Sequence, residues 1–294
     1  MDWFAMFLDY VRYEKRFSPQ TCIAYKTDLL QYGNFLSSRE KELKNATHQD
    51  IRQWMIEELE SGKSTRTINR KISTLKAFYK FLLRNNCISV NPTGKLIVPK
   101  LKKTLPVFIP ETEMSNLFDR IIFPDTFEGR RDKTIIELFY ATGIRLSELL
   151  NIKRIDLDFY NQTIKVIGKR KKERIVPFSP KLSAVLQEYI AVFETEFGKL
   201  EQDRFLFVTK EGKRIYTKLI YKIVRKYLDL ISTVEKRSPH IIRHTFATHL
   251  LDNGADLSAI KEILGHSSLA ATQFYTHTSV ERLKKTYKQA HPRA

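Results

Sequence analysis

Between Pro239 and His277 the chain gathers four side chains suited to phosphate-ester chemistry: His240, Arg243, His266 and Tyr275. A phenol can attack phosphorus, a guanidinium can grip two oxygens through its planar fork, and an imidazole can move a proton. His240 and Arg243 lie one helical turn apart in SPHIIRH, so both project from one side of a helix opened by Ser238-Pro239. Taken singly, each residue has an ordinary explanation. His240 could cap the helix, Arg243 could pair with an acid, and Tyr275 is one of 13 tyrosines, a residue type that mostly anchors cores. A zinc site through His240, His244 and His249 fails on detail, because Ile241 stands where a zinc protease keeps its glutamate and no acidic third ligand follows.

Upstream, GIRLSELL places Glu148 one turn after Arg145, and VIGKRKKERIVPF places Lys169 in a basic turn. Breaking a phosphodiester requires a nucleophile, cations over the non-bridging oxygens and an acid for the leaving oxygen. The combined set contains all three.

These groups need a scaffold and a polyanionic partner. The 294 residues exceed the length of one ordinary domain, so two are expected. With 51 Lys+Arg against 33 Asp+Glu the net charge is +18, while 42% hydrophobic and 12% aromatic content mark a folded chain rather than a disordered basic tail. The first hundred residues carry 17 Lys+Arg and 10 Asp+Glu, so the excess spans both halves. Cys22 and Cys87 stand alone, which argues against a disulfide framework and a structural zinc site. The opening MDWFAMFLDYVRYEKR carries acids within its apolar run and reads as an amphipathic helix rather than a signal peptide. No apolar run is long enough to span a membrane, and the cytoplasm is the expected compartment.

Periodicity predicts helices over 2–14, from Ser18-Pro19 toward Phe35, from Thr47 or His48, and over 64–85. The last buries Ile68, Ile72, Leu75, Phe78, Tyr79 and Leu82 and presents Arg66, Arg70, Lys71, Lys76, Lys80 and Arg84 on its other face, a run without acids that suits phosphate contact. Four prolines and a Lys cluster across 92–110 mark an extended boundary. The predicted division is a helical domain over 1–98, a basic linker over 99–110 and a second domain over 111–294. Within the latter, helices are expected over 111–122 and 130–141, the second ending at Gly143, and short strands over 164–166 and 174–176 around the basic turn. Helix 216–232 offers Lys218, Lys222 and Arg225 to a DNA groove. The fold class is mainly α with a small antiparallel β-sheet, in a two-domain arrangement suited to clamping a duplex.

In type, order and spacing, Arg145, Lys169, His240, Arg243, His266 and Tyr275 resemble the catalytic set of the tyrosine recombinases, the lambda-integrase family, and within it the Xer branch of chromosome-dimer resolvases. The resemblance runs over essentially the whole chain. SPQTCIAYKTDL and STRTINRKISTLKAFYKFL are similar to the family's SAM-like core-binding domain, and 145–275 to its catalytic domain. Ala270-Ala271 replaces a common Ser-Thr pair and Leu146 a common Val, without touching the reacting groups.

The resemblance implies that Arg145 and Arg243 hold the scissile phosphate and that Lys169 protonates the departing 5′-oxygen. Tyr275 would attack, His240 assist proton transfer, His266 bond the phosphate, and Glu148 orient Arg145. It implies DNA contacts at Thr21, Tyr25, Arg66, Thr67, Arg70 and Lys71, with Arg170, Lys171 and Lys172 binding backbone beside Lys169. It further implies no cofactor and no metal, a double-stranded recombination site as substrate, and a tetramer on synapsed DNA. The C-terminal helix, through Val280, Leu283 and Tyr287, would dock into a neighbouring subunit or return to its own domain. A second recombinase or a DNA translocase is a further candidate partner. Alternatives of other kinds are a mobile-element integrase, a noncatalytic DNA-binding protein and a type IB topoisomerase.

Overall fold

The computed structural model describes residues 2–100, 107–168, 172–232, 234, 237–265 and 277–294, with side chains in the last stretch described from 281 onward. It divides into two compact units, Met1–Thr104 and Leu105–Ala294.

The first unit is helical because its start signals are strong. Asp2 accepts from the Phe4 and Ala5 amides to open α1 (Trp3–Asp9), which widens into a π-helical turn at Tyr10–Glu14. Ser18, followed by Pro19 at the first helical position, caps α2 (Pro19–Ser37). A reciprocal Thr47/Asp50 capping box opens α3 (His48–Glu60), and Ser64 caps α4 (Thr65–Arg84). All six apolar residues of the expected α4 stripe are buried, packed with Leu29, Tyr32, Leu36, Ile51 and Trp54.

The other side of α4 departs from expectation at one residue. Lys71 is 3% exposed, not a surface contact for DNA. It falls three residues after Ile68 and four before Leu75, on the flank of the buried stripe. Its ammonium is spent on Glu58 at 2.5 Å and Gln31 at 2.6 Å, with the Trp54 ring 4.9 Å away. Arg70 remains about half exposed but is ion-paired to the buried Asp28.

In the second unit α5 (Glu111–Asp119) leads to α6 (Phe127–Thr142), which is buried on nearly every side. Gly143 ends α6 at φ +58°, and a Cβ there would sit 2.3 Å from the Phe246 ring, so both the dihedral and the space demand glycine. The short α7 (Leu146–Leu149) precedes a three-stranded antiparallel sheet: β1 (Leu157–Asp158), β2 (Thr163–Ile167) and β3 (Glu173–Pro177) in that spatial order. The expected pair is β2–β3, in register Val166 with Arg174 and Ile164 with Val176. β1 was not expected, since two residues carry no alternation to read. Helices α8 (Pro180–Phe197) and α10 (Pro239–Asp252) pack on α6, joined by α9 (Thr217–Leu228), α11 (Leu257–Leu264) and α12 (His277–Ala290). Ile109, at the end of the proline-rich segment, is fully buried. Its amide donates to the Thr245 hydroxyl and its carbonyl accepts from the His249 ring, which also bonds Tyr140.

The chain end docks on its own unit, burying Leu283, Tyr287, Ala290 and His291. His291 Nε2 donates to the Tyr140 carbonyl at 3.1 Å, and its Nδ1 accepts the Arg293 amide at 3.1 Å, the pattern of a neutral ring. Burial, partly opposed by the Tyr140 bond, pushes its pKa down to about 4. The unfolded chain therefore takes up a proton that the folded chain refuses between the ordinary value near 6.5 and about 4. The stability is fully present above that window and lost as pH falls through it, by up to about 3 kcal/mol. Thermal melts across this range should fall more steeply for the wild type than for His291→Gln; parallel curves would exclude His291 as the source.

Candidate active site

The start of α7 and the second turn of α10 bring Arg145, Glu148 and Arg243 to the end of α11. Arg145 is the residue preceding α7, and Glu148 reaches back from the third helical position to accept its amide at 2.7 Å. The same carboxylate takes Arg145 Nη1 at 2.8 Å, while Arg145 Nη2 donates to the Gly265 carbonyl at 2.8 Å. Arg243, in the second turn of α10, donates to the Gly143 carbonyl and, at 2.6 Å, to the Leu264 carbonyl. Both arginines thus rest on carbonyls at the C-terminal ends of helices, where the backbone dipole offers partial negative charge.

A third guanidinium belongs to the cluster, and the sequence reading did not assign it. Arg174, on β3, forks both oxygens of Glu148, Nη2 to Oε2 at 2.8 Å and Nη1 to Oε1 at 2.5 Å, and sends its Nε to the Ile263 carbonyl at 2.8 Å. Three successive carbonyls, of Ile263, Leu264 and Gly265, are therefore held by three different arginines. The signal available in the sequence was strand alternation. In ERIVP, Arg174 shares the inward face with Val176, and a cation on the core face requires an anion.

The electrostatics follow from three cations around one anion. Glu148 is buried, which alone would raise its pKa, but the hydrogen bonds and charge of Arg174, joined by the backbone and side-chain hydrogen bonds of Arg145, outweigh burial and hold it below the usual carboxylate range. Burial first, and then the charges of Arg145 and Arg174, push the Arg243 pKa down to about 9, against the opposing pull of Glu148. A group so destabilised as a cation gains from an arriving anion. The Arg145 side chain is 33% exposed, whereas that of Arg174 is 5% exposed, so Arg145 can meet a ligand and Arg174 cannot.

His240 is exposed in the first turn of α10, one turn before Arg243. His249 is committed to Tyr140 and Ile109, so it is not available to the zinc arrangement considered with His240 and His244. Lys169, Arg170, Lys171, His266 and Tyr275 lie outside the described residues. Gly168, immediately before Lys169, is at the cluster: a Cβ built there would lie 3.5 Å from Glu148 Oε1 and 3.9 Å from Arg145 Nη1. Its amide donates to the carbonyl of the exposed Lys172 at 2.7 Å, closing the neck of the turn.

Among the residues expected to face DNA, Arg66, Lys218, Lys222 and Arg225 are exposed. Thr21 and Thr67 instead begin as structure, each hydroxyl bonded to the capping serine three residues earlier, Ser18 and Ser64. Tyr25 is half-buried with its ring stacked on Phe7, and burial, with Asp28 nearby, raises its pKa.

The family model described as "Phage integrase family" matches residues 108–282, and that described as "Phage integrase, N-terminal SAM-like domain" matches residues 4–86. The chain is 36% identical to "Tyrosine recombinase XerC" of Chlorobaculum tepidum over 99% of its length and 95% of that protein's. It is 40% identical to the protein of the same name from Thermodesulfovibrio yellowstonii, over 97% and 95% of the two chains. Among solved structures, the Tn1549 transposon integrase in complex with circular intermediate DNA is similar with a TM-score of 0.72 at 21% identity, covering 96% and 98% of the two chains. The XerH site-specific recombinase bound to palindromic difH substrate is similar with a TM-score of 0.72 at 23% identity, covering 90% and 78%. At those identities the two structures speak to the fold alone.

Replacing the shared anion should be costly. Glu148→Gln leaves Arg145 and the buried Arg174 without their counter-charge, and a loss of about 3 kcal/mol in denaturant unfolding is expected, the usual scale for breaking a buried pair. A loss below about 0.5 kcal/mol, the surface ion-pair scale, would show that the carboxylate does not hold the cluster.

Proposed function

Because the chain belongs to the phage integrase family, we propose that it is a Xer-type site-specific tyrosine recombinase that cuts and rejoins DNA through a 3′-phosphotyrosyl intermediate. The observation that carries this reading is the pairing of Arg145 and Arg243 over the C-terminal end of α11, in a chain similar over its full length to proteins named tyrosine recombinase XerC.

In the proposed reaction the Tyr275 phenol loses its proton with His240 assisting and attacks phosphorus. The bond to the 5′-oxygen breaks as the Tyr275 ester forms, and Lys169 supplies the proton to that leaving oxygen. Arg145 and Arg243 neutralise the non-bridging oxygens as negative charge builds, with His266 donating a hydrogen bond. The 5′-hydroxyl of a partner strand then attacks the phosphotyrosine and returns the phenol. The ester energy is conserved, so no nucleotide is consumed. Two guanidinia supply the charge that divalent ions provide in many nucleases, so the reaction should proceed in excess chelator.

The duplex is held by basic residues on both units. Arg66 and Arg70 of α4, with Thr21, Tyr25 and Thr67 near the helix starts, form one set; Lys218, Lys222 and Arg225 of α9 form the other, and Lys172 with Arg170 and Lys171 flanks the active-site turn. Most such contacts position the backbone and a minority read bases. Recombination joins two duplexes bearing two half-sites each, which makes a tetramer the working assembly, with α12 either retained on its own unit or passed to a neighbour. Resolution of chromosome dimers is the proposed physiological role, with a second recombinase or a translocase as candidate partners.

Tyr275→Phe is expected to bind site DNA normally and to form no covalent adduct in denaturing gels; a surviving adduct would remove Tyr275 from its role. Trapping the wild-type adduct on genomic fragments and sequencing the attached DNA should return one locus near the replication terminus, whereas element ends would assign the chain to a mobile-element integrase. Lys218→Ala should weaken binding alike on all sequences and reduce the salt slope by about one. Loss confined to one base position would make Lys218 a base reader instead.

A further inference from the structure

Arg174 donates a bond inside the protein from each of its three guanidinium nitrogens, to Glu148 Oε1, Glu148 Oε2 and the Ile263 carbonyl. Being 4% exposed, it does not meet DNA. Its effect must pass through what it holds.

Glu148 is saturated. Oε1 accepts from Arg145 Nη1 and Arg174 Nη1, and Oε2 accepts from the Arg145 amide and Arg174 Nη2. A carboxylate offers about four acceptor sites, and these four bonds fill them. The Arg145 guanidinium therefore has only one nitrogen on the carboxylate. Its other terminal nitrogen is displaced onto the Gly265 carbonyl, and its Nε makes no bond to Glu148. Without Arg174, the stable alternative for an isolated arginine and carboxylate is the two-pronged pair, which would draw Arg145 onto Glu148 and neutralise it there. The third bond of Arg174 fixes the other side of the same arrangement. Ile263 directly precedes Leu264 and Gly265, whose carbonyls seat Arg243 and Arg145. The fit is tight: a Cβ at Gly265 would lie 3.0 Å from Arg174 Cδ, and Gly265 has φ +65°.

We propose that Arg174 is a positioning residue that, by sharing Glu148 with Arg145 and holding the end of α11, keeps the Arg145 guanidinium turned outward for the scissile phosphate. The proposal rests on the reading of Arg145 as a phosphate ligand.

Two measurements on the full-length chain test it. Affinity for inorganic phosphate at constant ionic strength, read from thermal shifts, reports the guanidinium seat without chemistry. Single-turnover cleavage of the duplex recovered in the Tyr275 adduct reports the reaction. Arg174→Lys keeps the charge and loses the fork. It should melt within a few degrees of the wild type, bind the duplex within about twofold, bind phosphate several-fold more weakly and cleave about 10–100-fold more slowly, the scale of losing an outer partner of a site. Combined with Glu148→Gln it should cost less than the sum of the two single effects, since Arg174 acts on Arg145 in part through Glu148. Wild-type cleavage and phosphate affinity in Arg174→Lys, or full additivity with Glu148→Gln, would overturn the proposal, as would a loss of duplex affinity equal to the loss of cleavage.

If Arg174→Lys melts far below the wild type, the neutral pair Arg174→Gln with Glu148→Gln takes its place, and wild-type phosphate affinity in that pair overturns the proposal equally. A wild-type chain that binds phosphate but forms no Tyr275 adduct would overturn the recombinase reading alone, because the phosphate measurement does not pass through Tyr275.

Discussion

One buried carboxylate organises the arginine cluster of the second unit. Glu148 sits between Arg145 and Arg174 with every acceptor site occupied, and the two guanidinia it orders reach the Ile263 and Gly265 carbonyls at the end of α11. Removing charges from water is expensive, and a buried ion pair seldom stabilises a fold more than a well-packed apolar substitute. The arrangement makes sense as a way of holding like charges close together. Three arginines around one glutamate leave a net positive cluster whose remaining partners are helix-end dipoles, which satisfy hydrogen bonds without neutralising charge. Burial first, and the two neighbouring guanidinia second, lower the pKa of Arg243 within this cluster.

The fold is the means of bringing distant stretches to this cluster. Arg145 follows α6, Arg174 rides on the sheet, Arg243 lies on α10, and the carbonyls end α11. Gly143 and Gly265 each end a helix in the left-handed conformation where a side chain would collide, with Phe246 in one case and Arg174 in the other. The same two glycines present or adjoin the carbonyls on which Arg145 and Arg243 rest. Helix termination and site construction are one event here.

Much of this was legible in the chain itself, for identifiable reasons. The caps Ser18, Thr47 and Ser64 are local signals, and local signals survive translation into structure. Arg145, Glu148 and Arg243 were legible because their types and order resemble a known catalytic set, and the Glu148 contact with Arg145 needs only one helical turn. Arg174 was hidden because its partners are 26 and 89 residues away, and a basic residue beside GKRKK looks like more of the same charge. Lys71 was misread for the converse reason. Counting charges along α4 does not reveal that Glu58 and Gln31, on other helices, reach the buried flank on which it falls.

The treatment of Ile109 bears on what counts as a separable catalytic module. Its backbone satisfies the hydroxyl of Thr245 and the ring of His249, two side chains on the helix that also carries Arg243. A fragment begun at α5 would leave both buried groups without that partner, at about 1–3 kcal/mol for each. The portable unit therefore starts before Ile109, and the last residues of the proline-rich segment are the first rung of the domain they precede.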